Sequence, residues 1–82
     1  IKLHVAQAGN GKKLVVLIHG WPEFWYTWRN QIPALAEHFT VVVPDLRGFN
    51  LSDKPRGIKN YRADIVASDI ALLIKELGYQ KA

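Results

Sequence analysis

The apolar residues change period several times along the chain, and each change predicts an element. Ile1, Leu3 and Val5 alternate with Lys2, His4 and Ala6, the period of two that gives a strand one buried face. Gly9-Asn10-Gly11 follows. Residues tolerant of positive φ between two strand-like runs predict a β-hairpin. Leu14-Val15-Val16-Leu17-Ile18 is an unbroken aliphatic run, the pattern of a strand covered on both faces in a parallel sheet. Thr40-Val41-Val42-Val43 is a second such run. Between them Trp25, Trp28, Ile32, Leu35, Ala36 and Phe39 recur at spacings of three and four, so the connector is helical with one apolar face. Pro33 lacks an amide and clashes with the preceding turn, which predicts a short helical turn to about Ile32 and a fresh helix with Pro33 in its first turn. The crossover is expected to be right-handed.

From Tyr61 to Leu77 the stripe Val66, Ile70, Leu73, Ile74, Leu77 predicts the clearest helix, with Arg62, Asp69, Lys75 and Glu76 off the stripe. Asn60 is placed to cap its start and Gly78 to end it. Tyr79-Gln80-Lys81-Ala82 then stops where another strand is expected. These elements predict an α/β fold, an N-terminal β-hairpin leading into a mostly parallel sheet with flanking helices. No repeat or low-complexity stretch interrupts it.

Composition narrows the class. Eighty-two residues at 49% hydrophobic content form one domain at most, with a low buried fraction and marginal stability in isolation. The net charge of +4 comes from Lys and Arg scattered among Asp and Glu, not gathered on a face, which argues against a nucleic-acid surface. Trp21, Trp25 and Trp28 share one apolar segment, so packing or pocket lining is a better use for them than base stacking. The absence of cysteine excludes disulfides and thiolate metal sites and favours a cytoplasmic setting. No run is long enough to span a membrane, and the alternating start is unlike a signal peptide. The chain begins without Met in a strand pattern, which suggests residues upstream or a cut.

The chemistry gathers after the two aliphatic runs. The first ends at His19-Gly20-Trp21-Pro22 and the second at Pro44-Asp45-Leu46-Arg47-Gly48, so both loops are expected at the carboxyl edge of the sheet, where open α/β folds place their sites. No glycine fingerprint opens a helix after Ile18, so Asp45 is not the ribose-binding acid of a dinucleotide fold. Nor does it lie in a strand-to-helix elbow, as a nucleophile would. Asp45 and Arg47 are expected to tie down their loop by charge-assisted hydrogen bonds. Ser52 lacks a Gly-x-Ser-x-Gly context and reads as a capping hydroxyl. His4 and His38 read as surface residues.

A strand followed by His-Gly-x-Pro and an aromatic helix, then a strand followed by Asp-x-Arg-Gly, resembles the first third of the α/β-hydrolases. In detail, His19-Gly20-Trp21-Pro22-Glu23-Phe24-Trp25-Tyr26-Thr27-Trp28-Arg29 and Asp45-Leu46-Arg47-Gly48-Phe49-Asn50-Leu51-Ser52-Asp53-Lys54-Pro55 look like the epoxide hydrolase branch. The resemblance implies an aspartate nucleophile, an alkyl-enzyme ester and its hydrolysis by histidine-activated water through an oxyanion. It places one oxyanion donor at the Trp21 backbone N–H, with Gly20 allowing close approach and a cis Pro22 turning that amide inward. His19 then supports the loop. The same resemblance puts Glu23 near the catalytic histidine or water. Glu23 also reads as a carboxylate at the start of the Trp25 helix.

Trp21, Phe24 and Trp25 are candidates to line a pocket for a small apolar epoxide or halogenated substrate, with Trp21 foremost. Neither metal nor organic cofactor is implied. The nucleophile elbow, catalytic histidine and cap domain are missing, so residues 1–82 are expected to be the N-terminal part of one core domain. The remainder of that domain, as a companion chain or a continuation, is the expected partner. Haloalkane or fluoroacetate dehalogenases and serine esterases share these first strands. A non-catalytic fragment or binding module is the alternative of another class.

Overall fold

The computed structural model describes all 82 residues. Its centre is one strand, β3 (Thr40–Pro44), every residue of which is buried. Burying a valine fully is worth about 1.5–3 kcal/mol, so Val41, Val42 and Val43 supply much of the apolar stabilisation. β1 (Val5–Ala8) pairs with it antiparallel, Val5 opposite Pro44 and Ala8 opposite Val41. β2 (Leu14–Val16) pairs with its other edge in parallel, Leu14 opposite Thr40 and Val16 opposite Val42. The order β1-β3-β2 makes a small mixed sheet.

That order corrects the predicted hairpin. β1 and β2 do not pair, because β3 lies between them. Gly9-Asn10-Gly11 instead crosses the entrance to β3. A Cβ at Gly9 would overlap the Phe39 carbonyl oxygen, and one at Gly11 would overlap that of His38. Close backbone approach, together with φ +80° at Gly9, is what these glycines serve. β2 differs from expectation as well. Only Leu14 is buried and Ile18 is exposed, since one edge of this strand has no partner. The Leu17 N–H still reaches the Val42 carbonyl at 3.0 Å, carrying the pairing up to the His19 loop.

The connector divides at Pro33 as its sequence requires. A 3₁₀ turn, Trp25–Trp28, is followed by α1, Ile32–Ala36, with the proline in the first turn. A second 3₁₀ turn, Ile58–Tyr61, precedes α2, Ala63–Glu76. The N-cap of α2 is therefore Arg62, not Asn60, whose side-chain amide instead donates to the Arg56 carbonyl. Its C-terminus closes at Gly78, where the Gly78 N–H bonds Lys75 at 2.9 Å and the Tyr79 N–H bonds Ile74 at 3.1 Å. Asp69, expected off the apolar stripe, is the one buried residue of α2.

Candidate functional site

β2 and β3 are parallel neighbours, so the loops that follow them meet at one edge of the sheet. His19 is the bridge between them. It is 4% exposed, with its ring edge-on to Phe49 at a centroid separation of 4.8 Å. Nε2 accepts the Leu46 N–H at 3.0 Å, which leaves the ring proton on Nδ1, and Nδ1 donates to the Gly20 carbonyl at 3.0 Å. With both nitrogens engaged, His19 has no lone pair to offer a substrate or water.

Gly20 to Glu23 form a tight turn with a cis Trp21-Pro22 bond, closed by the Glu23 N–H on the Gly20 carbonyl at 2.8 Å. The Trp21 N–H donates to no acceptor in the chain. Trp21 as a residue is 83% exposed. A Cβ at Gly20 would meet only the Glu23 carboxylate tip, at 3.3 Å, so that side of the loop is open. The Glu23 carboxylate accepts the Gly20 N–H at 3.3 Å through Oε1 and the Thr27 hydroxyl at 2.8 Å through Oε2. It does not cap the Trp25 turn, whose N-cap is Phe24 with no side-chain bond.

Across the edge, Asp45 is completely buried and is the anchor of the second loop. Oδ1 accepts the Trp25 N–H at 2.8 Å, and Oδ2 accepts from His4 Nδ1 at 2.8 Å and from Asn50 Nδ2 at 3.0 Å. Burial alone would push this carboxyl up. The Trp25, Asn50 and His4 hydrogen bonds and the charge of His4 outweigh it and hold the carboxyl below its ordinary value. Ser52 donates to the Asp45 carbonyl at 2.5 Å and accepts the His4 N–H at 2.8 Å, so its hydroxyl is consumed by the loop.

Arg47 turns the other way. Its guanidinium donates to both carboxylate oxygens of Asp69, at 2.6 and 2.8 Å, and to the Asn60 carbonyl at 2.9 Å, fastening the loop to α2. The hydrogen bonds to Asp69 raise its already high pKa, against the lesser opposing effect of burial. Gly48, at φ +85°, leaves room for the Tyr61 ring, whose Cε1 would stand 2.6 Å from a Cβ there.

Of the three aromatic residues expected to line a pocket, Phe24 alone does so within this chain. It borders an open pocket of about 280 Å³ with Pro22, Glu23, Tyr26, Thr27 and Arg29. Trp25 packs inward beside His4 and edge-on to Tyr26, and Trp21 stands clear of the pocket. Sequence reasoning missed His4 and Asn50 as partners of Asp45, and Asp69 as the partner of Arg47. Asn50 carried a signal, because asparagine is favoured at positive φ and it sits at φ 45° in the turn after Gly48.

Residues 13–82 match the family described as alpha/beta hydrolase fold. Among curated relatives, an AB hydrolase superfamily protein, YfhM, of Bacillus subtilis is 52% identical over 100% of this chain and 29% of its own length. A soluble epoxide hydrolase of Corynebacterium is 50% identical over 98% of this chain and 27% of its own. Among solved structures, epoxide hydrolase A of Mycobacterium thermoresistibile superimposes with a TM-score of 0.94 at 40% identity, over 98% of this chain and 26% of its own. The chain thus spans less than a third of each relative.

Proposed function

Because the chain belongs to the alpha/beta hydrolase fold family, we propose that the whole protein is an epoxide hydrolase in which Trp21 supplies one of two oxyanion amides. The reaction has two halves. An aspartate carboxylate attacks an epoxide carbon and breaks its C–O bond, forming an alkyl ester and an alkoxide that takes a proton from an acid in the remainder of the domain to become a hydroxyl. Water, deprotonated by a histidine, then attacks the ester carbonyl, the oxyanion forms, and its collapse frees the diol and restores the carboxylate. The aspartate, the histidine and the second amide donor lie in the remainder of the domain, which residues 1–82 open. The Trp21 amide faces the reacting ester, with Phe24 toward the apolar substrate. Glu23, held at the loop by Thr27, tunes the histidine or its water. The cysteine-free composition supports a cytoplasmic setting.

The observation that carries this proposal is the Trp21 N–H, which lacks an acceptor on a turn whose neighbouring polar groups are paired. Relatives named as epoxide hydrolases support the choice of substrate. The test is a single turnover of the full-length protein with a styrene-type epoxide in H₂¹⁸O. The diol should leave unlabelled, since its new oxygen comes from the carboxylate, and acquire label only in later turnovers. Label in the first diol would mean direct water attack. Conversion of a chloroalkane but no epoxide would make the protein a dehalogenase.

A further inference from the structure

The Gly20 carbonyl receives two donors, His19 Nδ1 at 3.0 Å and the Glu23 N–H at 2.8 Å, while the N–H of the same peptide unit, that of Trp21, receives no acceptor. The Gly20-Trp21 bond is trans, the cis bond being the next one along. In a planar trans peptide the carbonyl and the N–H point in opposite directions, so fixing the oxygen fixes the aim of the N–H. Donors on the oxygen also polarise the unit and strengthen the N–H as a donor.

We infer that His19 is a positioning residue that aims and polarises the Trp21 N–H, its own ring being set by the loop after β3. The relay has a direction set by one bond. The Leu46 N–H, donated to Nε2 at 3.0 Å, forces the proton onto Nδ1, and only a protonated Nδ1 can grip the Gly20 oxygen. Leu46 is itself held in place by the Asp45 anchor beside it. The ring is buried and has Phe49 against its side, so it cannot swing away. The inference rests on the proposed oxyanion role of Trp21. It adds that the aim of this donor is set in part by the loop after β3, through the Leu46 N–H.

Two variants of the full-length protein separate the two ends of the relay. His19→Asn keeps a donor near the Nδ1 position and loses the acceptor for Leu46. His19→Gln reaches the Nε2 position and loses the donor to Gly20. In pre-steady-state kinetics with a styrene-type epoxide, ester formation in His19→Gln should stay close to wild type. Ester hydrolysis should slow by about tenfold to a hundredfold, the scale of a small misplacement of a reacting group. Adduct then accumulates, visible by intact mass, and KM falls together with kcat. His19→Asn should keep the faster hydrolysis.

Equal slowing of both steps, or hydrolysis indifferent to both substitutions, overturns the inference while the proposed reaction stands. A wild type that forms no adduct overturns both. Should the variants fail to fold, long-range ¹H–¹⁵N spectra of the wild-type imidazole decide. A ring proton on Nδ1 supports the relay, and a proton on Nε2 contradicts it.

Discussion

Asp45 accepts hydrogen bonds from three separate segments, the residues before β1 through His4, the Trp25 turn, and its own loop through Asn50. An amide in its place cannot serve three donors, and its NH₂ would confront one of them. Asp45→Asn should therefore cost the full-length protein about 1.5–3 kcal/mol at neutral pH, the range for bonds to a charged group. Because the folded carboxyl lies below its ordinary value, the stabilisation is complete above the unfolded value, about pH 4 for an aspartate. It is lost as pH falls through the lower, folded value. Urea unfolding across pH 2–7 should show a steeper acid limb for wild type than for Asp45→Asn, the two converging at low pH. A constant gap between them would mean that the charge is not what matters.

At the scale of elements, two glycines with similar backbone angles separate close approach from conformation alone. Gly78 ends α2 at φ +87° with nothing within 4 Å of where a methyl group would stand, so Gly78→Ala should cost only the left-handed strain, about 1 kcal/mol. Gly9, at φ +80°, faces backbone oxygens of Ala36 and Phe39 that cannot rotate aside. Gly9→Ala should cost a few times as much in thermal unfolding of the full-length protein, and equal effects would refute that packing. The contrast also explains what the sequence concealed. Gly9-Asn10-Gly11 carries a hairpin composition, but glycine marks both tight turns and close crossings, and composition does not name the pairing partner.

Elements with a strong internal period were legible. Val41–Val43 announced the buried strand, and Pro33 divided the connector where it should. Long-range partners were not. Asp69 looks like a surface acid on a helix until Arg47, 22 positions earlier, arrives beside it. His4 looks like the polar side of a strand until Asp45 closes on it. The role proposed for Trp21 comes from a motif, whereas the way its peptide is held involves Leu46, which no local pattern marks.

Over the whole molecule, 11 residues are buried, and His19, Thr40, Asp45, Arg47, Ser52 and Asp69 among them are polar or charged. The centre of this chain is thus as much a hydrogen-bonded frame as an apolar core. The frame ties the loop after β3 to α2 through Arg47 and Asp69, and to the Gly20-Trp21 peptide through His19.

The most direct measurement deletes one atom group and leaves the rest. Replacing Trp21 in the full-length protein by its α-hydroxy acid removes the backbone N–H and keeps the indole. Ester formation from an epoxide should persist, while ester hydrolysis should fall by about 10²–10³, the cost of one oxyanion donor. Hydrolysis at the wild-type rate would show that this amide has no part in the chemistry.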